Sequence, residues 1–195
     1  MSHETLHLDS AFSYRCNACG RCCLNKRIQT TPYEVQRLAR NLGISTSKFV
    51  HGCLVSEGPY LRVPRGGVCI FLDGKRCTVH GDRPLACRSY PLGRWVSGDG
   101  EETFRALKPH PKTEGTYGLE GTVERFLDQQ GAQPYITAAD RYQALFYRLF
   151  DVLQRLLSAE TDLADQAAKA MFARNEADQP AFTEWLDVDL AVERY

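Results

Sequence analysis

The pattern of apolar and polar positions changes character at about residue 115. Before it, helical spacing is clear in one place. Val35, Leu38, Ala39 and Leu42 fall on one face, because residues three and four apart stack on the same side of a 3.6-residue turn. Thr31-Pro32-Tyr33-Glu34 supplies the start of that helix and Gly43 the stop. Threonine can cap the first amides, proline fits the first turn, and a glutamate three residues after the cap can reach back to it. That position makes Glu34 a capping group rather than a catalytic acid. A second short helix is predicted from Ser45 to about Cys53, with Phe49 and Val50 inward.

Residues 60–80 read as strands. Tyr60 to Val63 alternates, residues 64–67 turn, and Val68 to Val79 reads as a hairpin with Asp73-Gly74 at its tip. Loop length sets the register. A two-residue loop at Asp73-Gly74 would pair Ile70 with Cys77, whereas a three-residue loop over Leu72, Asp73 and Gly74 pairs Cys69 with Cys77. The three-residue loop is the prediction. From Leu92 to about Lys112 the chain is rich in glycine, proline and charge, with Trp95 and Phe104 set in a short strand or hairpin. Residues 1–13 read as a flexible arm, and His3 and His7 are assigned no role.

Beyond residue 115 the pattern is helical. Leu119, Val123, Phe126 and Leu127 form one stripe ended by Gly131. Thr137 to Asp140 reads as a cap for a long amphipathic helix carrying Tyr142, Leu145, Phe146, Leu149, Leu153, Leu156 and Leu157. A further segment from about Ala159 to Arg174 turns Leu163, Ala167, Ala170 and Met171 inward, and Pro180 opens a last helix with Phe182, Trp185 and Leu186. The predicted fold class is therefore α+β. A cysteine-rich core with short helices and a β-hairpin spans residues 14–112. A helical extension over residues 113–195 packs on it, as a support or as a surface for a protein partner.

Charge narrows the function classes. Lys plus Arg and Asp plus Glu balance at 24 each, so no global basic field exists to hold nucleic acid or an anionic membrane. There is no apolar run of about 18 residues to span a bilayer, and the first ten residues show no secretory pattern. The expected compartment is the cytoplasm, where thiols stay reduced.

That expectation bears on the eight cysteines. Cys16, Cys19, Cys22 and Cys23 lie within eight residues, and Cys69, Cys77 and Cys87 follow, with Cys53 between. An even count permits a disulfide framework, but adjacent Cys22-Cys23 and the two-residue gaps suit metal ligation better. Seven thiolates exceed the four that one tetrahedral ion takes. Two ions sharing a bridging thiolate would use seven, and one four-cysteine iron–sulfur cluster would leave three over. The predicted ligands are Cys16, Cys19, Cys22, Cys23, Cys69, Cys77 and Cys87, and the predicted cofactor is zinc or iron, with a 4Fe–4S cluster as one form. Arg15, Arg21, Lys26, Arg27, Arg76, Arg83 and Arg88 each lie within a few residues of a cysteine, where their charge lowers thiolate pKa values and offsets the site's negative charge. His80 is an alternative ligand. Cys53 is left out as a buried, apolar-type thiol.

The order Cys-x2-Cys-Gly-x-Cys-Cys at Cys16 to Cys23, Thr-x2-Glu at Thr31 and Glu34, Cys-x-Phe-Leu at Cys69 to Leu72, Cys77, and Arg-Pro-x2-Cys-Arg-x-Tyr-Pro at Arg83 to Pro91 resembles the CxxCxxCC family of zinc- or iron-chelating domains. The resemblance covers about residues 14–93 and implies metal chelation. The family includes a flagellin lysine methylase, which implies an iron–sulfur and methyl-transfer role as an alternative to a plain metal-binding module; an electron carrier is a third reading. The radical S-adenosylmethionine spacing Cys-x3-Cys-x2-Cys and a Gly-x-Gly-x-x-Gly loop are both absent, which weighs against the enzyme. No catalytic residue is assigned.

Overall fold

A computed structural model of the chain describes residues 5–64, 66–97 and 99–159, and it is an α+β fold. The first strand, β1 (Ala11–Arg15), pairs antiparallel with β6 (Thr116–Thr122), so segments about a hundred residues apart meet edge to edge. Two further strand pairs are hairpins. β2 (Leu72–Asp73) pairs with β3 (Arg76–Cys77), and β4 (Leu92–Val96) with β5 (Glu102–Ala106). The helices are α1 (Pro32–Leu42), α2 (Thr46–Cys53), the single turn α3 (Leu85–Arg88), α4 (Val123–Gln129) and α5 (Gln133–Ala159).

The predicted α1 forms as its ends dictate. The Thr31 side chain accepts from the Glu34 amide and the Glu34 carboxylate accepts from the Thr31 amide, completing the capping box, an arrangement worth about 1 kcal/mol. Gly43 takes the left-handed conformation, φ 65°, that closes the helix. Val35, Leu38 and Ala39 of α1 pack with Phe49, Leu54, Leu61, Phe71 and Val79 into one hydrophobic cluster, against which Cys53, Cys69 and Cys77 lie partly buried; Leu42, the last of the predicted stripe, is exposed instead. A second cluster joins Phe12, Leu92, Phe104, Val123, Phe126, Leu127, Ala132 and Ile136. No helix among the described residues is long and apolar enough to cross a membrane.

Four expectations are corrected. Residues 5–13 are not a free arm: Leu6 exchanges backbone hydrogen bonds with Phe104 at 2.8 Å each way, and Phe12 is buried; residues 1–4, His3 among them, lie outside the described residues. Leu119 does not belong to a helix. It lies on β6 and is 76% exposed, and the stripe becomes helical only at Val123. Thr137 is not a cap, since α5 begins at Gln133, behind Ala132. Residues 60–80 are mostly turns. Tyr60 and Leu61 make isolated bridges to Gln29 and Leu54, and Leu72 pairs with Cys77 across a two-residue Gly74-Lys75 loop. Gly74, at φ 57°, takes the first tip position, the glycine-first form that matches strand twist without a third residue. The segments at 163–171 and 180–186 lie outside the described residues, as does the Leu157 side chain. Of the α5 stripe, Tyr142, Leu145, Phe146, Leu149 and Leu156 are exposed.

Candidate metal centre

Three stretches of chain meet around one cavity of about 550 Å³. The first is the knuckle from Cys16 to Cys23. It ends in a 3-10 turn over Arg21–Cys23, entered through Gly20 at φ 71°. A Cβ on Gly20 would stand 3.4 Å from the Leu72 side chain and the Lys75 backbone, so glycine supplies both the left-handed turn and the close approach. The second stretch is tied to the first by backbone hydrogen bonds. The Cys69 amide donates to the Cys23 carbonyl at 3.0 Å, and the Asn25 amide to the Gly67 carbonyl at 2.6 Å. A turn closed by the Leu72 amide on the Cys69 carbonyl then leads into the β2–β3 hairpin. Cys69 and Cys77 thus share the cavity through that turn, not through direct ladder pairing. The third stretch is α3, which carries Cys87.

Two buried side chains hold α3 in place. Besides capping α1, Glu34 accepts from the Leu85 amide at 2.6 Å, so one carboxylate fixes both the start of α1 and the turn bearing Cys87. Arg88 is 7% exposed. It donates to the Gly81, Arg83 and Gln130 carbonyls and to the Tyr135 hydroxyl, with its guanidinium 4.0 Å from the Tyr135 ring centre. Arg83 donates to the His80 carbonyl at 2.7 Å and to Gln130 at 2.8 Å.

Cys16, Cys19, Cys22, Cys23, Cys69, Cys77 and Cys87 all line the cavity, and Cys53 does not. All eight are free thiols, with Cys16 exposed and the others half-buried. Among the described residues no group of three or more His, Cys, Asp or Glu side chains is close-set enough to hold an ion. The thiols ring the cavity wall rather than converge at one point.

Their protonation is strongly differentiated. A hydrogen bond from the Cys23 thiol to Cys22 pulls Cys22 down to about 6 against the opposing effect of burial, with help from Lys26 and Arg83. The same bond and burial push Cys23 up. Burial raises Cys69 and Cys77. It also raises Cys87, which Cys69, Cys22 and Cys77 then push further in the same direction. At Cys19 burial acts upward, but hydrogen bonds at Glu114, Arg21 and Thr113 together outweigh it and the pKa falls. His80 is held below its usual value by burial and by Arg83 and Arg88. Its Nδ1 lies 3.2 Å from Arg83, which can only donate. The proton therefore sits on Nε2, and the ring as placed offers the cavity no lone pair.

Sulfur donors of this kind suit soft and borderline metals, zinc and iron–sulfur centres among them. Residues 15–110 match the family model CxxCxxCC, described as "Putative zinc- or iron-chelating domain". These residues, just under half of the chain, are thus similar to that family. No curated protein and no solved structure matches the chain. Within the CxxCxxCC segment, the Thr-x2-Glu pair and the two arginines flanking Cys87 now have physical roles as the struts just described. Tyr14, Tyr90, Thr113 and Gln130 also line the cavity. Thr113 and Gln130 lie on loops with no sequence signal that would have singled them out, while Tyr90 was visible as part of the Tyr-Pro ending of the motif.

Proposed function

We propose that Cys16, Cys19, Cys22, Cys23, Cys69, Cys77 and Cys87 are the thiolate ligands of a zinc or iron centre holding more than one metal atom. The observation that carries this reading is the gathering of seven thiols from three separate stretches onto one cavity, with Cys53 outside it. Seven sulfurs exceed the needs of a single tetrahedral ion. Four sulfurs on such an ion stand only about 3.8 Å apart at Zn–S distances of about 2.3 Å, so loading draws them in from the walls. The knuckle and the turn at Cys69 are the segments short and irregular enough to move. Free thiols in this number belong to a reducing compartment, the cytoplasm.

The test is metal content. Protein purified without oxygen and passed to elemental analysis is expected to hold two or more atoms of zinc or iron per chain. A visible absorption band accompanies iron held as an iron–sulfur cluster. Cys53→Ser is expected to keep the full content, and Cys22→Ser or Cys87→Ser to lose it. A content of one atom or none, or one indifferent to the Cys22 and Cys87 changes, refutes the proposal.

A further inference from the structure

The cavity wall carries a second chemistry that metal ligation does not use up. Lys26, Arg27, Lys75, Arg76 and Arg83 line it, and no Asp or Glu does. Among the described residues none of the five is in an ion pair with a carboxylate. Lys26 lies over the Tyr90 ring at 5.7 Å and Arg27 over the Tyr60 ring at 3.8 Å, contacts that do not neutralise a cation, and the exposed Glu57 carboxylate acts on Arg27 from outside the cavity. Arg83 is anchored by neutral acceptors, a carbonyl and an amide oxygen.

The obvious use for these cations is to balance thiolates, and the charges can be compared directly. Two divalent ions bound by all seven thiolates leave roughly three negative charges, and a cluster on four cysteines leaves fewer. Five lining cations exceed either. Space points the same way in the metal-free protein: about 550 Å³ is the size of a small-molecule pocket, in the range of roughly 300–1,000 Å³.

We infer that the cavity binds an anionic small molecule, carrying a phosphate or carboxylate group, beside the metal centre, with Arg83 and Lys26 as its inner contacts and Arg27, Lys75 and Arg76 at the mouth. This rests on the metal-centre reading for the loaded state. It has its own footing in the metal-free protein, where five cations share one cavity wall with no carboxylate among the lining residues.

The test is calorimetric titration of protein whose metal is counted in the same sample. The probes are inorganic phosphate, malonate, and glycerol as a neutral control, at fixed ionic strength. One saturable site is expected for phosphate or malonate and none for glycerol. The tighter of the two anions assigns the ligand to phosphate esters or to carboxylates. The double change Lys75→Gln with Arg76→Gln touches only exposed side chains and is expected to weaken binding about tenfold, and Arg83→Gln is expected to weaken it further. If the metal count is zero, the metal-centre reading fails by that measurement alone, and the same titration on metal-free protein decides the anion site. Absence of a saturable site in both states, or binding that the Lys75, Arg76 and Arg83 changes leave untouched, overturns the inference.

Discussion

Arg88 offers the sharpest test of how the centre is supported. Arg88→Met keeps most of the side chain's length and removes all five N–H donors. Four acceptors then lose their partner: the carbonyls of Gly81, Arg83 and Gln130, and the Tyr135 hydroxyl. A buried acceptor left unsatisfied costs about 1–3 kcal/mol. Against that, the fold no longer buries a cation that lacks an ion-pair partner, a relief of a few kcal/mol. The balance is a loss of about 3 kcal/mol, a large share of the roughly 5–15 kcal/mol that holds a domain together. Arg88→Lys is the graded control. An ammonium has three donors on one atom and cannot span four acceptors set around a planar fork, so about half the loss is expected. Urea unfolding followed by circular dichroism measures both. Because the acceptors lie on both sides of the site, before α3 and at the α4–α5 junction, the Met variant is also expected to speed alkylation of the Cys87 thiol in folded, metal-free protein. A loss under about 1 kcal/mol in the Met variant, or a Lys variant as stable as the parent, refutes the strut.

Further outcomes follow from the same geometry. In metal-free protein, alkylation of Cys22 read by mass spectrometry is expected to rise with pH with a midpoint near 6, while Cys87 stays slow at neutral pH; equal rates would contradict the Cys23-to-Cys22 hydrogen bond. Gly20→Ala forces a side chain into a left-handed turn 3.4 Å from its neighbours and is expected to cost about 1–2 kcal/mol and to lower metal content. Burial holds the Glu34 carboxyl above its usual 4.5. Its contribution to stability is therefore full below that pH and is lost as pH rises through the raised value, and the corresponding slope in a stability-against-pH curve is expected to vanish in Glu34→Gln. Stripping metal with a chelator is expected to lower the melting temperature, since the ligands proposed above come from three stretches and would couple binding to folding.

Local chemistry was legible in the sequence where one residue type had one use. Thr31 and Glu34 could be read as a capping box because both halves of the reciprocal bond sit in four residues, and Gly43 as its stop for the same local reason. Cys53 was set apart from the other thiols because it fell on a predicted helix, and it lies off the cavity that the other seven line. The hairpin register could not be read, because two- and three-residue loops both fit the sequence near Gly74 and only the packing of Phe71 and Val79 in the core distinguishes them. Leu119 was misread because Leu119, Val123, Phe126 and Leu127 happen to keep helical spacing across a strand–helix boundary. Its strand partner lies about a hundred residues away, beyond any local pattern. Glu34's second bond, to Leu85, was invisible for the same reason of distance.

The β1–β6 pair is a clasp: it fastens the chain just ahead of the first cysteine to a point well past the last one. Phe12 on one side of it and Val123 and Phe126 just beyond the other share a single cluster. Cutting the gene at the edges of the motif-bearing segment would remove both jaws and leave Leu92 and Phe104, buried in that cluster, facing water. A transplantable version of this centre has to start before Ala11 and run through α4 into the first turns of α5, and a fragment of residues 15–110 is expected to be recovered as aggregate.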